Sequence, residues 1–481
     1  MTTLSARDPG MLAELRAIVG DDGILSARAD MLVYECDGFV VEKNSPDVVV
    51  FPRTTSQVAA IVRVANRFDV PFVPRGAGTS LAGGCLPVGG GIMIVLTRMR
   101  AIEEINLRDR YAIVQPGVVN AHLNTALKAS GFHYAPDPSS QGACTIGGNV
   151  ATNSGGPHTL KYGVTVNHIL GFEAVLADGR IVQLGGPVED SLGPDLVGAI
   201  VGSEGTLAIV TRIWVRLTRN PEGWRTLLAI YNSVDDATNS ISEIIAAGII
   251  PAALEMLDQG IIVPLEEAFH FGFPTDAGAI LLIEVDGLEV GLDEQRDRIS
   301  ELCLSNGARE IRIAANAEER MKLWKARKQA FGAVGRLAPS FCTQDGVVPR
   351  TKLPWILRKI SAVGEKYNLK IVNVFHAGDG NIHPIMCFDE RDAEQTRRVM
   401  KAGEEILEAC LECGGSVTGE HGIGVEKISL MRKMFTPDDL AAMERLRTAL
   451  NPSGLLSPAK LLPTAGGCGM EQTHPGRRAA L

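Results

Sequence analysis

Apolar positions follow two different patterns along this chain, and the change falls near residue 222. In the first part, short apolar runs of strand length stand between helical stretches. Residues 58–68 have apolar side chains at helical spacing, and Thr55 or Ser56 is expected to cap that helix. Residues 70–73 then predict a short strand that ends at a glycine-rich loop.

Turn residues divide the rest of the first part into further strands. Residues 102–105 and 112–114 predict a pair of strands, and Asp178-Gly179 predicts a hairpin turn. The sequence Asn220-Pro221-Glu222-Gly223 is the best candidate for a domain boundary. We therefore predict a first domain at residues 1–222.

The second part alternates strands with helices. Its order of strand, helix and strand, repeated once, predicts an antiparallel sheet backed by helices, ferredoxin-like in style. The fold class is therefore α+β, with a second domain at 223–462 and a disordered tail at 463–481, where periodicity is absent. The predicted strands are 227–231, 253–257, 280–285 and 310–313; the helices end at Ala247, Ser305 and, after a hairpin at 370–388, Leu450.

Composition narrows the function classes. The net charge is −9 and no basic block is present, so nucleic acid is not an expected partner. The chain contains 52 glycines in 481 residues, above the usual share of about 7%. Neither a signal peptide at residues 1–10 nor an apolar run long enough to span a membrane is visible, which predicts a cytoplasmic protein without direct membrane insertion.

The nine cysteines show no disulfide rhythm. Cys410 and Cys413 have CxxC spacing, but they lie on a predicted helix at 393–413 and lack the second pair of a four-cysteine metal site. We interpret the pair as helix packing rather than as a metal or redox site. It follows that the chain is not expected to contain an iron–sulfur cluster of its own.

Three histidines and a glutamate form the densest group of potential metal ligands. His376 and His383 are at the mouth of the predicted hairpin, and Glu420 and His421 are neighbours between two glycines. If residue 377 faces residue 382 across the turn, the two hairpin histidines pair directly with their side chains on one face. Two imidazoles and a carboxylate suit zinc, although iron and manganese are alternatives and simple packing is another.

Three glycine-rich segments lie in the first domain: residues 75–84, 136–149 and 153–156. Glycines let consecutive backbone N–H groups converge on an anion such as a pyrophosphate. The first segment is not GxGxxG, so the usual dinucleotide fingerprint fails, and one glycine loop alone is equally well a turn. Three such segments in one domain favour a large dinucleotide.

These segments carry a resemblance to a known family. The sequence is similar to flavoproteins of the vanillyl-alcohol-oxidase type, within the group that contains the FAD-linked subunit of bacterial glycolate oxidase and the D-lactate and D-2-hydroxyglutarate dehydrogenases. The resemblance runs from Val33 to Pro463 and rests on the motifs PRGAGTSLAGG, PDPSSQGACTIGGNVATNSGG, GSEGTLAIVT, WKARKQAFGAVGR, VFHAGDGNIHP and GEHGIG, in this order.

The resemblance implies a FAD-binding domain of the p-cresol-methylhydroxylase type followed by an α+β cap. Thr79 stands where members with covalently bound FAD have histidine, so the FAD is expected to be non-covalent. The family's closing motif Asn-Pro-Gly-Lys is Ser457-Pro458-Ala459-Lys460 here. The implied FAD-binding residues are Arg75, Gly76, Ala77, Gly78, Thr79, Ser80, Leu81, Pro136, Asp137, Pro138, Thr145, Ile146, Gly147, Asn149, Gly155, Glu204, Gly205 and Ile209.

The resemblance also implies a reaction, the oxidation of a 2-hydroxy acid to the 2-oxo acid. His376, His383 and Glu420 correspond to ligands of zinc or a similar divalent ion. A metal-bound hydroxyl loses its proton more easily, and His421 is the expected base. Arg327 aligns with an arginine that binds the substrate carboxylate, although an arginine on such a helix is usually solvated.

The resemblance also bears on which substrate and which partner proteins are expected. Phe331 and Thr343 stand where D-2-hydroxyglutarate-specific relatives bind a second carboxylate, which favours glycolate or D-lactate. The resemblance implies partner subunits, one flavin-binding and one iron–sulfur, which could bring the chain to a membrane. Two alternatives stay open: a zinc hydrolase, which leaves the glycine segments unexplained, and a non-catalytic flavin-binding subunit.

Overall fold

The structure, a computed structural model, describes residues 8–188 and 193–463. Backbone contacts divide the chain into two units. The first unit comprises the described parts of 1–154, 164–219 and 420–481, and the second comprises Gly155–Gly163 and Asn220–Gly419. The disordered tail that the sequence predicts at 463–481 lies outside the described residues, apart from Pro463.

The described residues form helices and strands in similar number. The helices are α1 (Pro9–Val19), α2 (Arg28–Met31), α3 (Thr55–Arg67), α4 (Asn120–Leu127), α5 (Ile146–Thr152), α6 (Thr159–Tyr162), α7 (Leu196–Ile200), α8 (Val234–Ala246), α9 (Gln259–Phe269), α10 (Leu292–Ser305), α11 (Ala317–Val334), α12 (Leu353–Tyr367), α13 (Ala393–Glu412), α14 (Ile428–Met434) and α15 (Pro437–Leu450).

The strands are β1 (Ile24–Leu25), β2 (Val48–Val50), β3 (Phe72–Arg75), β4 (Ile92–Val95), β5 (Ile102–Asn106), β6 (Tyr111–Val114), β7 (Phe132–His133), β8 (Ile169–Leu176), β9 (Ile181–Gly185), β10 (Ala208–Arg216), β11 (Thr218–Arg219), β12 (Gly223–Tyr231), β13 (Ala253–Asp258), β14 (Ala279–Gly287), β15 (Ala308–Ile313), β16 (Ser340–Thr343), β17 (Gly346–Val347), β18 (Lys370–His376), β19 (Asn381–Ile382) and β20 (Pro384–Phe388).

A small, mostly parallel sheet forms one half of the first unit. Its strand order is β1-β2-β4-β3, with β2, β4 and β3 parallel, and α3 packs its apolar face into the same core. The helix cap was predicted at Thr55 or Ser56, one or two residues too late, because it is the Thr54 hydroxyl that accepts the Gln57 N–H at 3.2 Å. The loop that follows β3 contains the first glycine segment.

The other half of the first unit is an antiparallel sheet of order β5-β6-β10-β8-β9. The predicted strand pair is confirmed as β5 with β6, and the predicted Asp178-Gly179 turn joins β8 to β9. Helix α5 packs against this sheet through Ile146 and Val150, which are fully or almost fully buried. The sheet therefore fixes the start of α5, where the second glycine segment ends.

The second unit contains the predicted antiparallel sheet. Its first four strands have the order β15-β12-β14-β13, and β18 extends the sheet beside β13. The βαβ-βαβ order of a ferredoxin-like fold is thus confirmed, but helix α9 between β13 and β14 was not expected. Its 11 residues include an internal proline, Pro264, and so depart from an ordinary helical pattern.

The hairpin that contains the histidines turns one residue earlier than predicted, which changes the register of its two strands. His376 pairs with Asn381, and Asn373 pairs with Pro384, so the turn is Ala377–Gly380 and His376 does not face His383 directly. Gly380 has φ +80°, and a side chain there would meet the Val348 carbonyl, so this turn depends on glycine. The two imidazoles are diagonal neighbours on one face instead.

A single cut at residue 222 does not reproduce the two units, because each unit also contains a segment from the other side of that cut. Residues 420–463 belong with the first unit, because the Glu204 carboxylate accepts the N–H groups of Ile423 and Gly424 and Lys460 donates to the Gly84 carbonyl at 2.7 Å. Gly155–Gly163 belongs with the second unit, where Tyr162 donates to Asp286 at 2.7 Å. No helix in the described part of the chain is long and apolar enough to cross a membrane.

Candidate active site

The first glycine segment forms a tight loop after β3. Gly78 has φ +72°, and a Cβ there would lie 2.1 Å from the Arg75 guanidinium, so only glycine fits. Arg75 itself is buried and donates to the Cys36 carbonyl at 2.9 Å, which holds the loop from inside the unit. Its side chain is thus committed to the fold, and the loop backbone remains for a ligand.

The second glycine segment meets this loop. A Cβ on Gly76 would lie 2.5 Å from the Thr145 hydroxyl, which caps α5 by accepting the Gly148 N–H. A residue that sequence reasoning missed, Asn120, ties the segment together: its amide donates to the Pro136 carbonyl at 2.9 Å and to Asn149 Oδ1 at 3.1 Å. The Asn149 side chain, which was predicted to contact FAD, therefore also accepts a hydrogen bond from Asn120.

These two segments fit a large anionic cofactor. A Cβ on Gly76 would lie 3.8 Å from the Gly148 backbone, and the buried Ser80 hydroxyl has no hydrogen-bond partner among the described residues. Not every predicted contact uses its side chain, because Ile146 and Ile209 are 0% and 1% exposed within apolar cores. Those two residues can face a ligand only through their backbone.

Glu204 positions the segment that contains His421. It is buried and lies at φ +52°, and its oxygens accept the N–H groups of Ile423 at 2.6 Å and Gly424 at 2.7 Å. Gly422 has φ +87°, and a Cβ there would meet the same carboxylate at 2.7 Å. The bend of the backbone at Glu420 and His421 thus follows from glycine and Glu204 together, and the His421 Nε2 lies 3.9 Å from Glu420 Oε1.

The closing segment departs from its family motif at two strained positions. Ser457 has φ +47° and Ala459 has φ +55°, where asparagine and glycine are the residues that best tolerate left-handed backbone. Ser457 offsets part of this cost with a hydrogen bond from its hydroxyl to the Gly205 carbonyl at 2.9 Å. Lys460 is fully buried, and this burial lowers its pKa to about 8 despite the nearby Cys85 and Glu204.

Replacing Ala459 by glycine should stabilise the first unit by about 0.5–1 kcal/mol. The relief of a left-handed alanine, about 1–2 kcal/mol, exceeds the added entropy of an unfolded glycine, about 0.4–1 kcal/mol. Urea unfolding followed by flavin fluorescence measures the change. The matched control, Ala442→Gly inside α15, should lower stability by about 1 kcal/mol, and an Ala459→Gly protein no more stable than its parent contradicts the strain.

In the second unit, the hairpin brings His376 and His383 together. Their ring centroids are 5.2 Å apart at an interplanar angle of 89°, and both side chains are buried. His376 Nδ1 lies 2.8 Å from one oxygen and 3.0 Å from the other oxygen of Glu255. Because an ionised carboxylate only accepts, Nδ1 bears the proton and Nε2 is left as a ligand atom.

Glu255, on β13, was not identified from the sequence. Its carboxylate is fully buried and also accepts from Arg327 Nε at 2.7 Å. Burial raises the pKa of Glu255, but the charge of Arg327 and the hydrogen bonds from Arg327 and His376 outweigh this, so the pKa lies below its usual value. The carboxylate is therefore ionised at neutral pH.

Arg327 is 2% exposed, so the expectation of a solvated arginine from the helix pattern alone does not hold. Its Nη2 lies 2.6 Å from Glu255 Oε2 but has no aligned hydrogen bond among the described residues. The contact of Nη2 with Glu255 is thus an ion pair, and the Nη2 hydrogens have no aligned acceptor among the described residues. A buried guanidinium held at one edge and unsatisfied at another suits a carboxylate ligand.

A second buried carboxylate, Asp345, lies beside His383. Its Oδ1 is 3.9 Å from His383 Nδ1, and its Oδ2 accepts from the Thr418 hydroxyl at 2.6 Å and the Gly419 N–H at 3.0 Å. Gly419 also has no room for a side chain, since a Cβ would lie 2.4 Å from Asn381. Asp345 thereby ties the hairpin to the residue that precedes Glu420 in the sequence.

The two residues that bear on substrate size lie on the same unit. Phe331 packs against an apolar cluster of α9, α11 and β18 and offers no polar contact. Thr343 is buried, and its hydroxyl has no partner among the described residues. Neither side chain supplies a cation for a second carboxylate.

The position of the CxxC pair agrees with a role in helix packing. Cys410 is buried, and its Sγ would lie 2.6 Å from a Cβ on Gly346.

Comparison with known families finds two domain models along the chain. A family model described as FAD linked oxidases, C-terminal domain, matches residues 220–461, and one described as FAD binding domain matches residues 46–185. This chain belongs to the FAD-linked oxidases. It is a FAD-dependent oxidoreductase, so the sequence-based prediction of FAD is confirmed and the zinc hydrolase alternative is rejected.

Relatives are similar over nearly the whole chain. Glycolate oxidase subunit GlcD of Escherichia coli is 44% identical over 97% of this chain and 94% of its own length. Glycolate oxidase subunit GlcD of Bacillus subtilis is 39% identical over 93% of this chain and 96% of its own. A D-lactate dehydrogenase of Anaerostipes hadrus is 30% identical over 94% and 95%. The predicted family resemblance is thereby confirmed.

Solved structures support the fold. Substrate-bound p-cresol methylhydroxylase has a TM-score of 0.80 at 18% identity, covering 93% of this chain and 95% of its own. The 4-ethylphenol oxidase from Gulosibacter chungangensis has a TM-score of 0.78 at 20% identity, covering 94% and 97%. The predicted fold class, a p-cresol-methylhydroxylase-type FAD domain with an α+β cap, is confirmed.

Proposed function

We propose that this FAD-linked oxidase oxidises a small 2-hydroxy monocarboxylate, glycolate in the first place, to the 2-oxo acid. The observation that carries the proposal is the buried set of His376, His383 and Arg327 in the second unit. The names of the relatives at 44% and 39% identity support glycolate. D-lactate is the second candidate, favoured by the D-lactate dehydrogenase at 30% identity.

Each residue has a distinct role in this reaction. Arg327 binds the donor carboxylate through its uncommitted nitrogen, and His421 accepts the proton of the donor hydroxyl. His376, His383 and Glu420 hold a divalent ion, for which zinc suits two nitrogens and one oxygen. When bound, the ion lowers the pKa of the donor hydroxyl and FAD provides the hydride acceptor at N5.

The buried surroundings of Arg327 and Phe331 favour a donor with one carboxylate. One guanidinium can bind one carboxylate, and burying a second carboxylate without a cation costs several kcal/mol. Phe331 lies in an apolar cluster and supplies no such cation. A dicarboxylate such as D-2-hydroxyglutarate is therefore the least favoured of the three donors.

The FAD should be bound without a covalent link. Thr79 occupies the position of the linking histidine in covalent members and has no ring nitrogen to form that bond. Acid or heat precipitation is expected to release all the yellow colour into the supernatant. Flavin that stays attached to peptide in the pellet contradicts this expectation.

A donor panel tests the substrate. The purified, flavin-loaded chain with an artificial electron acceptor should oxidise glycolate and D-lactate faster than D-2-hydroxyglutarate at equal concentrations. Arg327→Lys is the matched variant: it keeps the charge but not the planar fork, so KM for the donor should rise. A preference for D-2-hydroxyglutarate overturns the monocarboxylate reading.

The electrons must then leave the reduced flavin through other proteins. The word subunit in the names of two relatives, together with the absence of a cluster-type cysteine set in the sequence, supports flavin-binding and iron–sulfur partner subunits. The isolated chain should therefore turn over slowly with oxygen or quinone and faster when such partners are added. Rapid quinone turnover by the chain alone contradicts the need for partners.

A further inference from the structure

Helix α11 presents one polar face to the sheet of the second unit. Arg320, Trp324 and Arg327 follow one another at spacings of four and three residues, which places them on one side of a helix. This face meets two buried glutamates, Glu284 on β14 and Glu255 on β13. Helix α11 thus contributes to two internal arginine–carboxylate pairs of similar build.

The partners of the two glutamates differ. Glu284 accepts from Nε and Nη2 of Arg320 at 2.7 Å, from Trp324 Nε1 at 2.8 Å and from the Thr226 hydroxyl. These contacts bind the helix to the sheet. Glu255 accepts from Arg327 and lies 2.8 Å from Nδ1 of His376, so it joins two of the residues placed in the proposed reaction.

The contact between Glu255 and His376 follows from strand register. The two residues are direct partners across β13 and β18, so their side chains project from the same face of the sheet. Glu255 and His376 are 0% and 4% exposed, so water does not compete for this contact. A buried carboxylate at Nδ1 fixes both the tautomer and the orientation of the ring.

We propose that Glu255 is a positioning residue that aims Nε2 of His376 at the metal ion and aligns the guanidinium of Arg327 for the donor carboxylate. This inference rests on the proposed function. It assigns to one carboxylate the alignment of both the metal ligand and the substrate-binding arginine. Without the charge of Glu255, the imidazole can rotate or change its tautomer, and the guanidinium is left buried without its counterion.

The test compares Glu255→Gln with Glu284→Gln, since each variant removes the charge from one internal pair. Metal affinity is measured by competition between the flavin-loaded protein and a zinc chelator, without donor. Glu255→Gln should bind zinc about 10–100-fold more weakly than the parent, the usual effect of losing such a contact. Glu284→Gln should bind zinc like the parent, although both variants are expected to melt at a lower temperature.

A donor measurement separates the two effects of Glu255. Arg327→Met keeps the contact between Glu255 and His376, so it should bind zinc nearly as the parent does while KM for glycolate rises. Glu255→Gln should both weaken zinc binding and raise KM. A purely structural role for Glu255 would change the melting temperature alone.

Two further variants decide the outcome. Glu255→Asp, whose carboxylate is drawn back by about 1.5 Å, serves if Glu255→Gln does not fold, and it should also bind zinc more weakly than the parent. Parent-like zinc affinity in the soluble Glu255 variants overturns the positioning role. His376→Ala distinguishes this failure from a failure of the metal site. If His376→Ala also retains zinc, the proposed metal site is wrong as well. If it loses zinc, only the role of Glu255 is wrong.

Discussion

Replacing His421 by alanine should slow reduction of the bound flavin by about 10²–10⁴-fold, the usual cost of losing a general base. The proton of the donor hydroxyl then has no imidazole acceptor, while the glycine segments and the hairpin histidines are untouched. Glu204 holds the backbone of Ile423 and Gly424 independently of the imidazole, so the segment should keep its path. Anaerobic stopped-flow mixing with glycolate measures the rate directly.

The control is His122→Ala, which removes an exposed imidazole from α4 in the same unit and should leave the rate unchanged. Flavin and metal content of both variants should equal those of the parent, so that a slow rate reports the chemistry. Reduction at the parent rate in His421→Ala removes this residue from the mechanism. A loss of flavin would instead assign His421 to the fold.

The sequence predicted the fold where local patterns decide it. The Asp178-Gly179 turn and the alternation of strands and helices after Gly223 depend on neighbouring residues, and both were confirmed. The glycine segments were found because glycine is the one residue that permits the loop at Gly78, with its positive φ and close guanidinium. Such constraints leave a trace at a single position.

Contacts between distant strands left no such trace. Glu255 is one carboxylate among 56 acidic residues, and only the register of β13 with β18 reveals that it faces His376. The hairpin was predicted two residues out of register, because sequence alone did not fix the position of its turn. The same holds for Glu204, whose partners Ile423 and Gly424 lie more than 200 residues away.

Burial of charge was the hardest property to foresee. Arg327 follows a helical pattern with lysines on either side, which is typical of a solvated face. Arg327 is buried because the face of α11 that it shares with Arg320 and Trp324 packs against the sheet. There, Glu255 and Glu284 accept the hydrogen bonds of this face. A buried cation requires such a partner, and the partner came from a different element.

Removing any one proposed metal ligand is expected to abolish both metal binding and activity while FAD is kept. The variants are His376→Ala, His383→Ala and Glu420→Ala. Three ligands hold the ion, so losing one should reduce the metal bound per flavin from about one to near zero in the purified protein. FAD should stay because the first two glycine segments lie in the first unit and contain none of the three proposed ligands. Elemental analysis against flavin absorbance gives the ratio.

The pattern across the three variants identifies the ligands one by one. His270→Ala, at the exposed end of α9, is the control for incidental binding by a surface imidazole and should keep the parent ratio. Full metal content in all three variants contradicts the site. If Glu420→Ala alone keeps its metal, the oxygen ligand is a different carboxylate, and Asp345 is the one to replace next because its Oδ1 lies 3.9 Å from His383 Nδ1.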